Sequence, residues 1–328
     1  MKASKAKFQK ASKTVLSEGG GGGATEGVEG RFVMHLIRAI TAVTVIAILA
    51  FLGGAAAVPH AAVQSTPTRI VSLVPALTEM LFAIGAGPQV VGVGSFDKFP
   101  PEVEKLPKVG ALLDPDTERI LSLRPTLVLT YGSQTDLHKQ FERAGIKAYI
   151  YRHGGLDTIF QTLRDLGDAT GQRRQADDLV RDMQKRLDDV RARVRDRPRP
   201  RVLLVIGRQP KTLREIYASG GVGFLHEILE IAGGRNVFAD AARESVQPSN
   251  ETLIARAPDV IVELQAEGMF KSDDLAAEKA VWSTLTSMPA VRNKQVHELV
   301  GQYLVVPGPR LAQAAETLAR TLHSEAFR

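Results

Sequence analysis

The sequence predicts an α/β protein of two lobes with parallel sheets, joined by one long rigid helix. Three observations predict it. Short β-branched runs alternate with segments of helical spacing along residues 69–323, the alternation that builds parallel sheets with crossover helices. One amphipathic stretch, residues 172–195, divides that alternation into two series. Each series also contains the same unit: a glutamate at a helix start, an apolar helix, a proline and a buried strand.

Taken in order, residues 39–58 are almost wholly apolar. Lys2, Lys5, Lys7, Lys10, Lys13, Arg31 and Arg38 precede them, and Ala55-Ala56-Ala57 closes them. Positive start, apolar core and small-residue end is the order of a secretory signal peptide. The run also reaches the roughly 20 residues that span a bilayer, so an uncleaved anchor is the alternative. Gly53-Gly54 and the alanines weaken the helix end and favour cleavage. The run of glycines at 19–23 lies in a polar stretch with little to bury. A signal peptide of ordinary form begins at Met34, and the preceding residues read as a mis-assigned start or a disordered extension. No cysteine is present, so no lipid is attached through one. The expected organisation is an extension and signal peptide over 1–57, a first α/β lobe over 67–171, a linking helix over 172–197 and a second α/β lobe over 200–326. The expected location is the periplasm.

Residues 69–74, 89–94, 126–131 and 147–151 read as strands, with helices over 78–84, 115–123 and 137–144. The second series has strands over 201–207, 216–219, 259–264 and 295–300, and helices over 223–232, 250–257, 281–286 and 309–323. Between them, Ala176, Leu179, Val180, Met183, Leu187, Val190 and Val194 form one apolar stripe on an otherwise polar helix. That helix spans about 35 Å. Arg197-Pro198-Arg199-Pro200 ends it.

Composition excludes several functions. The net charge of +6 is concentrated at the start. Seven of the 42 Lys and Arg and three of the 36 Asp and Glu fall within residues 1–57, so the remainder lies within two charges of neutral. Nothing here favours nucleic acid. Absence of cysteine removes disulfides, thiolate catalysis and cysteine-ligated metals. Gly220-Gly221-Val222-Gly223 precedes a helix but has neither the spacing of a dinucleotide fingerprint nor a P-loop lysine. No G-x-S-x-G, H-E-x-x-H or paired-carboxylate arrangement occurs. The chain reads as a non-enzyme.

Several residues together carry a family resemblance. They are Ser72-Leu73-Val74-Pro75 with Thr78-Glu79, Val90-Val91-Gly92-Val93, Phe99-Pro100-Pro101, the two glutamate–helix–proline–strand units and the linking helix. The set resembles a periplasmic binding protein of the iron-siderophore, haem and vitamin B12 class, nearest to the cobalamin-binding subfamily. The resemblance runs over about residues 67–323. It implies two lobes with ligand held between them, a monomer, and delivery to an ATP-driven permease dimer in the membrane. No resident cofactor is implied. A membrane-tethered sensor built on the same fold is the alternative of a different class.

By position, Phe96 and Tyr217 match two of the aromatics that such proteins stack on a corrin. Leu112 and Gln247 fall where the family often has tryptophan, and Gln302-Tyr303 replaces an acidic–aromatic pair. Phe96, Tyr217 and Tyr303 suit a corrin, a haem or a catecholate siderophore, because stacking needs only aromatic faces. For haem or iron, Tyr131, Tyr217, Tyr303 and His153 are the candidate ligands. His138, His226, His297 and His323 lie on helical or strand patterns and read as structural. Arg208 and Arg152 follow strands, where a ligand carboxylate or phosphate would meet them. Glu118 and Glu251 start their helices in equivalent places. The resemblance implies that such glutamates dock on permease arginines, while a helix start alone would also favour an acid there.

Overall fold

The computed structural model describes residues 69–266 and 272–328. The signal peptide or anchor expected before residue 58 lies outside the described residues. Among the described residues no helix is long and apolar enough to cross a membrane.

The first half runs β1 (Ile70–Ser72), α1 (Pro75–Ala83), β2 (Val90–Val93), α2 (Thr117–Ser122), β3 (Leu127–Tyr131), α3 (Thr135–Arg143), β4 (Lys147–Tyr151) and α4 (Leu156–Thr170). Its sheet has the order β2-β1-β3-β4 and every pairing is parallel. The linking helix α5 (Arg173–Val194) follows. The second half runs β5 (Arg201–Gly207), β6 (Tyr217–Ser219), α6 (Phe224–Ile231), β7 (Arg235–Asn236), β8 (Ser245–Val246), α7 (Asn250–Arg256) and β9 (Val260–Gln265). It ends with α8 (Ser272–Ala280), α9 (Pro289–Arg292), β10 (Val296–Val300) and α10 (Leu311–Leu322). Its sheet has the order β10-β9-β5-β6-β8, with β7 paired to β5.

The second sheet is mixed where the sequence reading had parallel strands throughout. β10, β9, β5 and β7 run parallel, but β6 is antiparallel to β5 and β8 antiparallel to β6. The cause is the connection after β5. Residues 208–216 contain no helix, so the chain has no crossover with which to return parallel. A second difference is α4, a 15-residue helix absent from the sequence reading. Ile159, Phe160, Leu163 and Leu166 form its buried face. Gly171, at φ 74°, ends it in the left-handed conformation that glycine adopts without strain. The chain then enters α5.

α5 buries Ala176, Val180, Met183, Leu187, Val190 and Val194, the stripe expected of it, with Leu179 half-buried. It packs on α4 from the first half and on α6 and α10 from the second. One core cluster therefore includes Ile70 and Leu129 of the first sheet, the α5 stripe, and Val202, Leu204 and Val262 of the second sheet. Both halves rest on one helix through apolar contact, which resists large relative motion more than a flexible tether would.

Candidate functional site

In open α/β sheets, ligands bind beyond the carboxyl ends of the strands. Here those ends carry the Phe96 loop after β2, Tyr131 on β3, Tyr151 to His153 after β4, Arg208 after β5 and Tyr303 after β10. Tyr217 joins them because the antiparallel β6 begins opposite Gly207. A cavity of about 350 Å³ lies between the halves. His153 of the first half lines it, facing Ile206, Phe224, Leu264 and Val305 of the second. Glu244 and Ser245 are polar groups on its wall. An apolar chamber with few polar groups is the usual form of a small-molecule site.

Beside His153 stands a small aromatic cluster. Tyr131 meets Tyr151 edge-on with ring centroids 5.8 Å apart. His153 lies 5.5 Å from Tyr131 and 5.4 Å from Tyr151. Burial raises the pKa of both phenols, and the Glu244 carboxylate pushes the same way. They therefore remain protonated donors at neutral pH. The Tyr151 hydroxyl is buried and bonds no other group among the described residues. Tyr151 and Glu244 were not singled out from sequence, since Tyr151 lies on a strand pattern and Glu244 is a solitary loop acid. Among the described residues no group of three or more His, Cys, Asp or Glu is placed to hold a metal ion.

The Phe96 loop is built to project its aromatic. Phe96 is 65% exposed, the next residue, Asp97, is buried, and the loop is pinned from both sides. Ser95 N–H donates to the Gly110 carbonyl at 2.8 Å, and Lys108 Nζ donates to the Asp97 carbonyl at 3.0 Å. Gly94 permits the turn: a Cβ there would sit 2.9 Å from Asp97 Oδ2. Burial raises the Asp97 carboxyl to about 6, against the opposing pull of Thr78 and Lys108. Its folded-state pKa thus exceeds the unfolded one, so ionisation costs stability as pH rises through the window from about 4 to 6. Asp97→Asn should be more stable than the parent at pH 7.5, and the difference should shrink towards pH 4. Urea unfolding at the two pH values reads this, and an advantage that grows on acidification would refute the assignment.

The Phe96 loop is also tied to the second half, through Gln302 and Arg310. Gln302 Nε2 donates a long 3.5 Å bond to the Phe96 carbonyl. Arg310 donates to both carboxylate oxygens of buried Glu79, at 2.6 and 2.9 Å. Its guanidinium lies 3.9 Å from the Phe99 ring centroid and 5.9 Å from that of Tyr303. Glu79 was legible only as part of a motif, and Arg310 not at all. A further tie is the Leu156 N–H, which donates to Glu227 Oε2 at 2.6 Å.

The remaining sequence candidates are dispersed. Tyr217 is 46% exposed. Leu112 is half-buried, its carbonyl accepting from the Gln134 amide. Gln247 is exposed in the loop just after β8. Neither Phe96, Leu112, Tyr217, Gln247 nor Tyr303 is on the wall of the 350 Å³ cavity. Arg208 is buried between two carboxylates, with Nε 2.7 Å from Glu263 and Nη1 2.8 Å from Glu278. Trp282 Nε1 donates to the same Glu263 at 3.0 Å. The guanidinium expected to meet a ligand is thereby engaged in tying α8 to the second sheet. Glu118 and Glu251 are both exposed in the first turn of α2 and α7.

Two α/β halves on one long helix, one sheet parallel and the other mixed, with an apolar chamber between their strand ends, define a two-lobed ligand-binding protein. The chain belongs to the periplasmic binding protein family, whose profile matches residues 70–303. This is a family of binding proteins for transport and not of enzymes. The chain is 29% identical over 277 residues to the uncharacterized ABC transporter substrate-binding lipoprotein YvrC of Bacillus subtilis, covering 81% of this chain and 83% of that one. It is 29% identical over 256 residues to the vitamin B12-binding protein of Salmonella typhimurium, covering 77% and 90%. Among solved structures, the periplasmic heme-binding protein RhuT of Roseiflexus sp. RS-1 is 28% identical, with a TM-score of 0.66, covering 79% and 98%.

Proposed function

We propose that the protein is the extracytoplasmic substrate-binding component of an ABC importer, capturing a corrinoid or an iron chelate and delivering it to a membrane permease dimer. The observation that carries this reading is the apolar cavity between the strand ends of the two halves; Phe96 and Tyr217, off its wall, are exposed aromatics on the same strand-end side. Flat macrocycles bind through aromatic faces and apolar area more than through charge, and the charged Arg208 is already paired. A vitamin B12-binding relative supports a corrinoid as first choice.

A second reading, haem or a ferric siderophore, is favoured by the Tyr131–Tyr151–His153 cluster, which places phenol and imidazole groups at the cavity edge. The heme-binding relative supports it equally. Titration of the protein with cyanocobalamin, haem and a ferric catecholate in a calorimeter separates the two. Saturable binding of cyanocobalamin alone favours the corrinoid. Binding of haem with a shift of its visible absorption favours the iron reading, and no heat with any of the three refutes both. With the bound macrocycle, Phe96→Ala and Tyr217→Ala should each weaken affinity by roughly 1–3 kcal/mol from lost stacking and area. Unchanged affinity in both variants, with folding intact, would remove these residues from the site.

A further inference from the structure

We propose that Leu121 and Ile254 are a second pair of docking contacts, aliphatic anchors beside Glu118 and Glu251. Their partner is a membrane protein offering two equivalent sites, each a cation next to an apolar surface. The inference rests on the importer reading above and adds to it what lies beside the charges.

The two helices are mounted in the same way, residue for residue. Asp116 and Ser249 cap them, accepting from the N–H of Arg119 at 2.9 Å and of Thr252 at 3.2 Å. Ile120 and Leu253 are fully buried beneath them. Arg124 and Ala257 then adopt φ of 47° and 43°, each directly before a proline. Arg69, just before β1, donates to the Leu123 carbonyl at 2.6 and 2.9 Å. Arg201, the first residue of β5, donates to the equivalent Arg256 carbonyl. The strand edge repeats as well: Thr126 N–H donates to the Arg69 carbonyl at 2.9 Å and Asp259 N–H to the Arg201 carbonyl at 2.8 Å.

These arginines tie the ends of both helices to the amino ends of the strands. The starts of the helices, with Glu118 and Glu251, therefore lie towards the carboxyl ends, where the cavity is. A partner docked there faces the ligand.

On the exposed face of each helix, two kinds of residue recur. One is the acid. The other is an aliphatic one helical turn later, Leu121 and Ile254, each 40% exposed. Residues three apart share a helix face, so each acid adjoins its aliphatic. The other exposed positions do not match in chemistry: Arg119 corresponds to Thr252, and Ser122 to Ala255. A single exposed leucine needs no explanation. The same exposed aliphatic beside the same acid, on two identically anchored mounts, fits a partner with two equivalent patches. Neither glutamate has an ion-pair partner among the described residues, so the charge available is negative and its complement is cationic. An aliphatic seated against an apolar surface there buries area of its own and excludes water from the adjoining charge pair.

The test is binding to the cognate permease in lipid nanodiscs, at low and high salt, for the parent and two double variants. Leu121→Ser/Ile254→Ser should bind roughly ten-fold more weakly, or worse, at both salt concentrations. Its ligand affinity should match the parent, since neither side chain lines the cavity, and it should still unfold in one transition at a modestly lower midpoint, both side chains being 40% exposed. Glu118→Gln/Glu251→Gln should lose most at low salt, where screening is least. Parent-like binding by the aliphatic variant, with weakened binding by the glutamate variant, overturns the proposal and leaves glutamate docking intact. Parent-like binding by both variants overturns the docking reading of these helices and the proposal with it.

Discussion

Replacing Arg208 by methionine should lower the unfolding free energy by about 3–5 kcal/mol at neutral pH. Methionine keeps an apolar stem reaching about as far as Nε and removes the guanidinium. That group is 3% exposed and serves two carboxylates that are themselves buried, Glu263 and Glu278. It also donates to the Glu278 carbonyl at 2.9 Å and the Thr212 carbonyl at 3.0 Å. Without it, two negative charges lie in the interior with no cation between them, the costliest way to break a buried pair. Glu298 makes the site more acute. It stands opposite Glu263 in the β9–β10 register, and burial, then the Glu263 charge, raises its carboxyl to about 7. Protonation neutralises stranded carboxylates, so the variant should recover part of its loss at pH 5. Urea denaturation at pH 7.5 and pH 5 measures both effects. A loss below about 1 kcal/mol at pH 7.5, the range of exposed pairs, would show that solvent reaches this cluster.

On the importer reading, transport should collapse when Glu118 and Glu251 are both removed. Glu118→Ala/Glu251→Ala should bind ligand as the parent does, because both residues are exposed and neither lines the cavity. Melting should change by less than about 1 kcal/mol of stability, the worth of an acid near a helix start. The Ser249 hydroxyl lowers the pKa of Glu251, so that carboxyl is ionised throughout the neutral range. Two negative charges held apart on a rigid body set the orientation of a partner as well as its attraction. In vesicles carrying the permease, the double variant should stimulate uptake no better than a blank. Uptake at the parent rate would leave only a helix-end role for these residues.

Strand and helix positions were legible because their signals are local. The runs at 126–131, 147–151 and 201–207 are β-branched or apolar and became β3, β4 and β5. The stripe from Ala176 to Val194 became the buried face of α5. Residues 156–170 carry the same spacing in Ile159, Phe160, Leu163 and Leu166, a shorter stripe that runs almost directly into the longer helix. The antiparallel turn of β6 and β8 had no such signal. Strand direction depends on which neighbour a strand meets, and β6 and β8 are only three and two residues long.

The site divides along the same line. Phe96 and Tyr217, the aromatics that the resemblance implies for a ligand, both stand open to solvent. Arg208 followed a strand in the same way, yet its partners Glu263 and Glu278 are 55 and 70 residues away in the chain. Glu79 and Arg310 are separated by 231 residues. An isolated charge in a sequence carries no sign of whether it will meet a ligand or an opposite charge.

By itself the sequence determined what nearest neighbours and periodicity control: the α/β alternation, the long helix with one apolar face, the repeated glutamate–helix–proline–strand unit, and through their ordered set the family. The tertiary structure alone decided which charges neutralise each other, that one core runs through both halves, and that His153, Glu244 and the walls of α6 and β9 enclose a chamber. The physical reason is range. Helix and strand preferences are set over a few residues, whereas burial and pairing depend on contacts between distant segments that exist only once the chain has closed on itself.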